Sequence, residues 1–528
     1  MKRRWPIRFC AIILLSGCLR AGVESLSAQG VPPGNLPQII TLIERREFAP
    51  AEARLQTELK TDPSNPTLYR VLGFVYQQEQ RFPDAERALE RSLELSRGTN
   101  PQALFLLVGT KFALKKAPEA LALARKLSAA SGDDPKIHFA LGRLLRENGQ
   151  LGASVQELES ARAASPADPA VDTELVIAYT QQHDAVKAEP LLQSVLHTSS
   201  YSDLVQAGSR LAEAGVLSLA VSAFQRAVEA EPGRYDARFD LAFALLRASR
   251  FDEAEQALDS IPHVEADAHA DYHYLRGKVA LARARPQEAG EEFVRAVHLD
   301  AGNEALCMDA GLLESKFEDF WKALEVFQAC AQSQPDSVPV ETGLGLTYFQ
   351  LGKYPDAIAT FHKVVSLRPE ADATREALGF ILYLTSDFAQ ARQVLEPRLT
   401  AHGVDYYLPF LYALVLLRLD ERTFQSVALR SIEQSIQLNG KFAPAYFQRG
   451  RLEWKAGETD RARTDLELAI HLDPAYAQPY YVLAQIYFKQ GKQEQAQQAQ
   501  QKFASLNRDR EASEQKRNLQ NRLFQALQ

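Results

Sequence analysis

The chain has 528 residues, of which 46% are hydrophobic and 24% charged, with a formal net charge of -7. That balance is typical of a folded globular protein. Lys and Arg (60) are outnumbered by Asp and Glu (67), which excludes the basic stripe by which proteins hold nucleic acid.

The first segment reads as a secretory signal. Lys2, Arg3, Arg4 and Arg8 precede an apolar run from Phe9 to Leu15 that is too short to span a bilayer. The run ends in Leu15-Ser16-Gly17-Cys18, which resembles the lipobox of bacterial lipoproteins. The resemblance implies lipidation of Cys18, which becomes the new N-terminus of an outer-membrane or periplasmic lipoprotein. A second reading cuts near Ala28 and leaves a soluble periplasmic or secreted protein. Residues 1–30 are assigned to this signal and linker, and Gly30 to Gly34 holds the first hairpin away from either terminus.

From residue 31 to 510 the chain repeats itself about every 34 residues. About fourteen units start near 32, 66, 101, 135, 169, 201, 235, 270, 304, 338, 372, 406, 443 and 477. Within a unit, Leu204, Ala207, Gly208 and Leu211 mark one helical stripe, and Ala220, Phe224 and Ala227 mark a second. A short polar turn joins them, as at Gly149-Gln150, so each unit is a helical hairpin. Glycine at the eighth position, such as Gly73, Gly277 and Gly345, lets the two helices approach closely. Pro66, Pro101, Pro135 and Pro169 open first helices, where no N–H is needed, while Pro232, Pro335, Pro369 and Pro474 stop second ones. The unit at 406 is longer by three residues, absorbed between Asp420 and Ser426. Residues 511–528, with Leu519, Leu523 and Leu527 at helical spacing, read as a capping helix.

The series Tyr69, Leu72, Gly73, Tyr76, Ala85, Leu89, repeated as Leu344, Gly345, Tyr348, Ala357, Phe361, Val364, Pro369, resembles the tetratricopeptide repeat. The resemblance implies an all-α, right-handed superhelical solenoid of tandem helix-turn-helix hairpins whose first helices line a concave face. It also implies protein binding. On the positions that face this groove stand Phe74, Phe105, Phe139, Phe239, Phe243, Tyr274, Phe349, Phe380, Tyr383, Phe410, Phe447, Trp454, Tyr481 and Phe488. Aromatic anchors dominate recognition energies, so the row suits an extended peptide or a helix. The same positions also serve packing between hairpins. Some members of the family clamp a C-terminal carboxylate with Lys and Asn. Here Arg70, Lys136, Arg143, Lys278 and Arg451 are scattered and the required Asn residues are missing.

Chemistry is sparse. No phosphate loop, dinucleotide-binding glycine motif, nucleophile elbow or His-Glu-x-x-His occurs. His263, Glu265, Asp267, His269, Asp271 and His273 form the one cluster with metal-binding residue types. Because His269 falls at a helix start and His273 at a packing position, no metal is expected. Beyond the signal region, the cysteines are Cys307 and Cys330, on facing helices of one hairpin. They form either a disulfide, as an oxidising compartment allows, or two small buried thiols. The sequence therefore predicts a scaffold of the bacterial cell envelope without enzymatic activity, cofactor or nucleic-acid partner. It binds protein partners through the groove and meets the membrane only through a lipid anchor. The alternative is a subunit of a polysaccharide-export or pilus-assembly system.

Overall fold

The computed structural model describes residues 36–198, 200–262, 266–400 and 403–506. The signal, Cys18, His263, Glu265 and the expected capping helix at 511–528 lie outside the described residues. Within them are 27 α-helices, one short 3-10 turn at Glu396–Arg398 and no strand. The helices gather into two compact units, one up to Arg250 and one from Phe251.

In the N-terminal unit, first helices run over Leu36–Glu44, Pro66–Gln78, Pro101–Ala113, Pro135–Glu147, Pro169–Gln181, Tyr201–Glu213 and Tyr235–Arg247. Local chemistry explains where they begin. Asn65 accepts from the N–H of Thr67 at 2.9 Å, Asn100 from that of Gln102 at 3.1 Å, Asp134 from that of Lys136 at 2.9 Å and Asp168 from that of Ala170 at 2.8 Å. Each cap is followed by a proline at the first helical position, and each contributes about 1 kcal/mol. Second helices such as Leu217–Ala230 end two residues before proline, and Glu231 between them is the last to donate back into the helix before Pro232. The turn inside a hairpin needs a residue in the left-handed region. Gly149 takes it at φ 74°, whereas Gln80 takes it at φ 60° with a side chain attached.

In the C-terminal unit, hairpins pair Ala270–Ala282 with Pro286–Leu299, Glu304–Lys316 with Phe320–Ser333, Val338–Gln350 with Tyr354–Leu367, Ala443–Lys455 with Thr459–Leu472, and Ala477–Lys489 with Gln493–Leu506. The long unit departs from this pattern. Its two helices form one span, Tyr407–Leu438, broken only at Asp420 (φ -162°, ψ 100°). The Asp420 carboxylate accepts from the N–H groups of Arg422 and Thr423 and from the Thr423 hydroxyl, so it caps the second half directly. The additional residues thus extend the second half as helix, with no separate loop.

The core is distributed, as a chain of hairpins requires. One cluster runs from Leu36 to Leu145 in the N-terminal unit. Three follow in the C-terminal unit, centred on Phe327, Phe361 and Leu466. Phe224, Phe293, Phe327 and Phe361 are each at most 1% exposed, and burying each contributes roughly 1.5–3 kcal/mol. Each rests against the glycine of its own hairpin. A Cβ on Gly277 would lie 2.5 Å from the Phe293 ring, and one on Gly345 would lie 3.0 Å from that of Phe361. Glycine is what lets helix backbone meet ring face.

Candidate functional site: the face built by first helices

Three successive first helices, Pro66–Gln78, Pro101–Ala113 and Pro135–Glu147, line a half-open pocket of about 130 Å³. Its walls are apolar: Val71, Phe74, Phe105, Leu106 and Ile137. Three polar side chains join them, Arg70, Gln102 and Lys136, and none of the lining residues is acidic. Phe74 and Phe105 are the two expected groove aromatics that the fold brings together here.

Arg70 is 7% exposed, and its Nε is buried without a hydrogen-bond partner. Its guanidinium makes no ion pair with any described residue, and burial alone pulls its pKa below the ordinary value. Several other cations of the first helices do meet carboxylates, although Arg451 Nε is likewise buried without a hydrogen-bond partner. Lys111 Nζ sits 2.6 Å from Glu86, 3.0 Å from Glu90 and 2.7 Å from Glu119. Burial lowers its pKa, but the hydrogen bonds it donates to Glu119, Glu86 and Glu90 more than reverse this, so the ammonium is held. Glu174, 1% exposed, faces Arg146 at 3.0 Å, Arg210 at 3.3 Å and Arg143 at 3.8 Å. Lys278 meets Asp309 at 2.6 Å and Arg449 meets Asp465.

The remaining aromatics divide by burial. Phe349, Phe380, Phe410 and Phe447 are 1–8% exposed and pack edge-on or tilted against other rings, Phe349 on Phe380 at 6.4 Å and Phe410 on Phe442 at 4.9 Å. They offer little surface to a partner. Phe139, Phe239, Phe243, Tyr274, Tyr383 and Trp454 are half-buried. Phe139 lies under the Arg210 guanidinium, and the Tyr274 hydroxyl donates to Asp309. Tyr481 and Phe488 are exposed, at 49% and 73%.

Two histidine–glutamate pairs recur that the repeat pattern alone does not flag. His138 Nδ1 lies 2.7 Å from Glu157, and His273 Nδ1 lies 2.6 Å from Glu292. The signal was present: both histidines hold the fourth position of a unit, with Glu 19 residues on. Burial pulls His138 down, but Glu157 and the Gly132 carbonyl outweigh it and the net shift is upward. Of the histidine cluster, His269 is the N-cap of Ala270–Ala282, 3.9 Å from Asp271, while His273 points inward. No group of three metal-ligating side chains occurs among the described residues. Cys307 and Cys330 are joined by a disulfide, with Cα atoms 6.2 Å apart. No described helix is long and apolar enough to cross a membrane.

Models of the tetratricopeptide repeat match residues 211–279, 342–397 and 447–509. The chain carries tetratricopeptide repeats. Such repeats generally act as non-enzymatic protein-interaction scaffolds. Among its relatives are anaphase-promoting complex subunit 3 of Schizosaccharomyces pombe, 25% identical over 186 residues, which are 35% of this chain and 28% of that one. A TPR repeat-containing protein of Methanocaldococcus jannaschii is 21% identical over 324 residues, 56% of this chain and 54% of that one. The protein O-mannosyl-transferase TMTC3 of Mus musculus is 23% identical over 197 residues, 37% of this chain and 19% of that one. The chain thus spans about half or less of the length of these curated relatives. Among solved structures, the Cut9–Hcn1 hetero-tetramer of the APC/C is 12% identical, with 93% and 95% of the two chains covered and a TM-score of 0.31. Yeast Tom70 is 14% identical, with 83% and 96% covered and the same TM-score.

Proposed function

We propose that this tetratricopeptide-repeat chain is a non-enzymatic scaffold of the bacterial cell envelope that grips protein partners on the face built by its first helices. The observation that carries the reading is the apolar pocket between Phe74 and Phe105, bounded by three consecutive first helices. Half-buried and exposed aromatics on other first helices, Tyr481 and Phe488 among them, are of the kind that anchors interfaces. The envelope assignment rests on the signal-like segment before Leu15 and on Cys18 as lipid acceptor, and the Cys307–Cys330 disulfide supports an oxidising compartment.

Affinity capture tests the scaffold role. The tagged chain is compared with Phe105→Ser/Tyr481→Ser/Phe488→Ser, once both show equal helicity by circular dichroism. Proteins retained by the first and lost from the second are the expected result; identical retention by both would remove the first-helix face from the reading. Labelling with a radioactive fatty acid, with Cys18→Ala as control, tests the anchor separately. Label that survives the substitution, or none on either chain, sinks it.

A further inference from the structure

The histidine–glutamate pair of the fourth hairpin reaches beyond that hairpin. His138 is 5% exposed and both its ring nitrogens face oxygen acceptors: Nδ1 lies 2.7 Å from the Glu157 carboxylate and Nε2 lies 2.7 Å from the Gly132 carbonyl. Two acceptors need two N–H groups, and imidazole carries two only as its cation. Glu157 belongs to the second helix of the same hairpin, Leu151–Ala164, whereas Gly132 is the first residue after Ala117–Ser131 of the hairpin before. The ring therefore bridges two hairpins. It does so where the backbone provides little else. Ser96 and Ser165 close their second helices by donating back to Ser92 and Ala161, but the Gly132 N–H makes no such bond, and Ala117–Ser131 packs more sparsely on Pro135–Glu147 than Phe82–Leu95 does on Pro101–Ala113. The second pair differs. His273 Nδ1 lies 2.6 Å from Glu292, a bond that neutral imidazole makes as well, and Glu292 also has Arg295 at 2.8 Å and Arg276 at 3.6 Å. Glu157 forms no ion pair with a described residue except His138.

Resting on the scaffold reading, we infer that His138 is a pH-sensitive latch on the first-helix face: its imidazolium holds Pro135–Glu147, the pocket wall that carries Ile137, against the preceding hairpin, and loss of its proton releases that wall. The charged groups facing the ring are Glu157 from the second helix and Asp134 from the cap of its own helix, and the end of Ala117–Ser131 offers the Gly132 carbonyl. Burial lowers the pKa of the ring, but Glu157, the Gly132 carbonyl and Asp134 together raise it above the ordinary value of 6.5. When the proton leaves, the remaining N–H stays on the carboxylate, the stronger acceptor, and Nε2 turns a lone pair toward the Gly132 oxygen. The contact between hairpins is thus the one lost. A basic group whose pKa is raised on folding stabilises fully below its unfolded value and loses that contribution as pH climbs through the folded one. The wall is fastened at about pH 6 and free on the alkaline side.

NMR and hydrogen exchange on the full chain test the latch without any partner. The His138 ring and the Ile137 methyls, assigned through His138→Gln and Ile137→Val, should titrate together with one midpoint above 6.5. Between about pH 6 and about pH 8.5, protection in Pro135–Glu147 should fall at least about tenfold after correction for intrinsic exchange, as loss of one hydrogen bond to a charged group implies. Ala270–Ala282, which carries the second pair, should keep its own protection. Glu157→Gln, at a half-buried position, should move the midpoint downward, whereas a carboxylate serving packing alone would leave it in place. A midpoint at or below 6.5, Ile137 methyls that ignore the His138 titration, equal protection at the two pH values, or a midpoint unmoved by Glu157→Gln each overturns the inference. The first three readings use the unaltered chain, so they stand even if Glu157→Gln folds poorly. Partner capture that fails at both pH values removes the scaffold reading and leaves the latch as measured.

Discussion

Arg70 and the arginines around Glu174 stand on the same kind of element, a first helix of the N-terminal unit, and both sites are nearly closed to water. At Glu174 three guanidinium groups converge on one carboxylate that is 1% exposed, and Arg143 has Glu147 beside it as well. At Arg70, a residue 7% exposed, the surroundings are mostly apolar, with Gln102 and Lys136 as the other polar neighbours and no carboxylate. The first arrangement is complete by itself and holds three hairpins in register. The second has no ion pair with a described residue, and its Nε is buried without a hydrogen-bond partner. Buried charge therefore stands in two conditions along one face: shared between hairpins at Glu174, and without a carboxylate partner at Arg70.

The largest effect expected from this contrast is at Glu174. Glu174→Ala strands Arg143, Arg146 and Arg210 near one another with their shared anion gone. Breaking a buried pair from one side costs about 3–5 kcal/mol. Hydrogen exchange should show lost protection in Pro135–Glu147, Pro169–Gln181 and Tyr201–Glu213, while hairpins of the C-terminal unit keep theirs. Protection that falls evenly along the chain, or not at all, would mean the cluster fastens nothing.

Arg70 is expected to respond with the opposite sign. Arg70→Met removes a buried donor that has no partner and retains the apolar stem, so urea unfolding of the first three hairpins should shift toward greater stability by about 1–3 kcal/mol. A residue kept for packing would destabilise when replaced.

How far this was legible in the sequence depends on the distance over which each feature is decided. The hairpins were legible because their causes are local: the apolar stripes, the proline after Asn65 or Asp134, and the glycine that meets Phe293 or Phe361 all act within about one repeat of 34 residues. The joining of two helices across Asp420 was only half legible, since the insertion showed and its helical continuation did not. Pairing of charges was not legible. Glu174 reaches Arg146 across 28 residues and Arg210 across 36, and Lys111 meets Glu86 in the preceding hairpin. From sequence, Arg70, Lys136 and Arg143 are equivalent scattered cations; packing alone decides which is saturated. The aromatics obey the same rule. Position put Phe349 and Phe488 in one class, and their neighbours left the first at 1% exposure and the second at 73%.

The smallest expected effect tests whether an incomplete anion behaves as the mirror of Arg70. Glu453, half-buried in Ala443–Lys455 of the C-terminal unit, has a buried Oε2 with no hydrogen-bond partner. Burial, and then the nearby Asp465 carboxylate, push its pKa up to about 7, with Arg449 only partly opposing because that guanidinium is engaged by Asp465. An acid whose pKa is raised on folding stabilises the fold below its unfolded value near 4.5 and loses that contribution as pH climbs through about 7. The C-terminal hairpins should accordingly weaken between about pH 5 and 7.5, by less than about 1 kcal/mol because solvent reaches the group and screens it. Glu453→Gln, which needs no proton to stay neutral, should flatten that part of the thermal-melting profile. A slope that survives the substitution would assign the effect to another group, and Glu453 would then be adequately solvated where it stands.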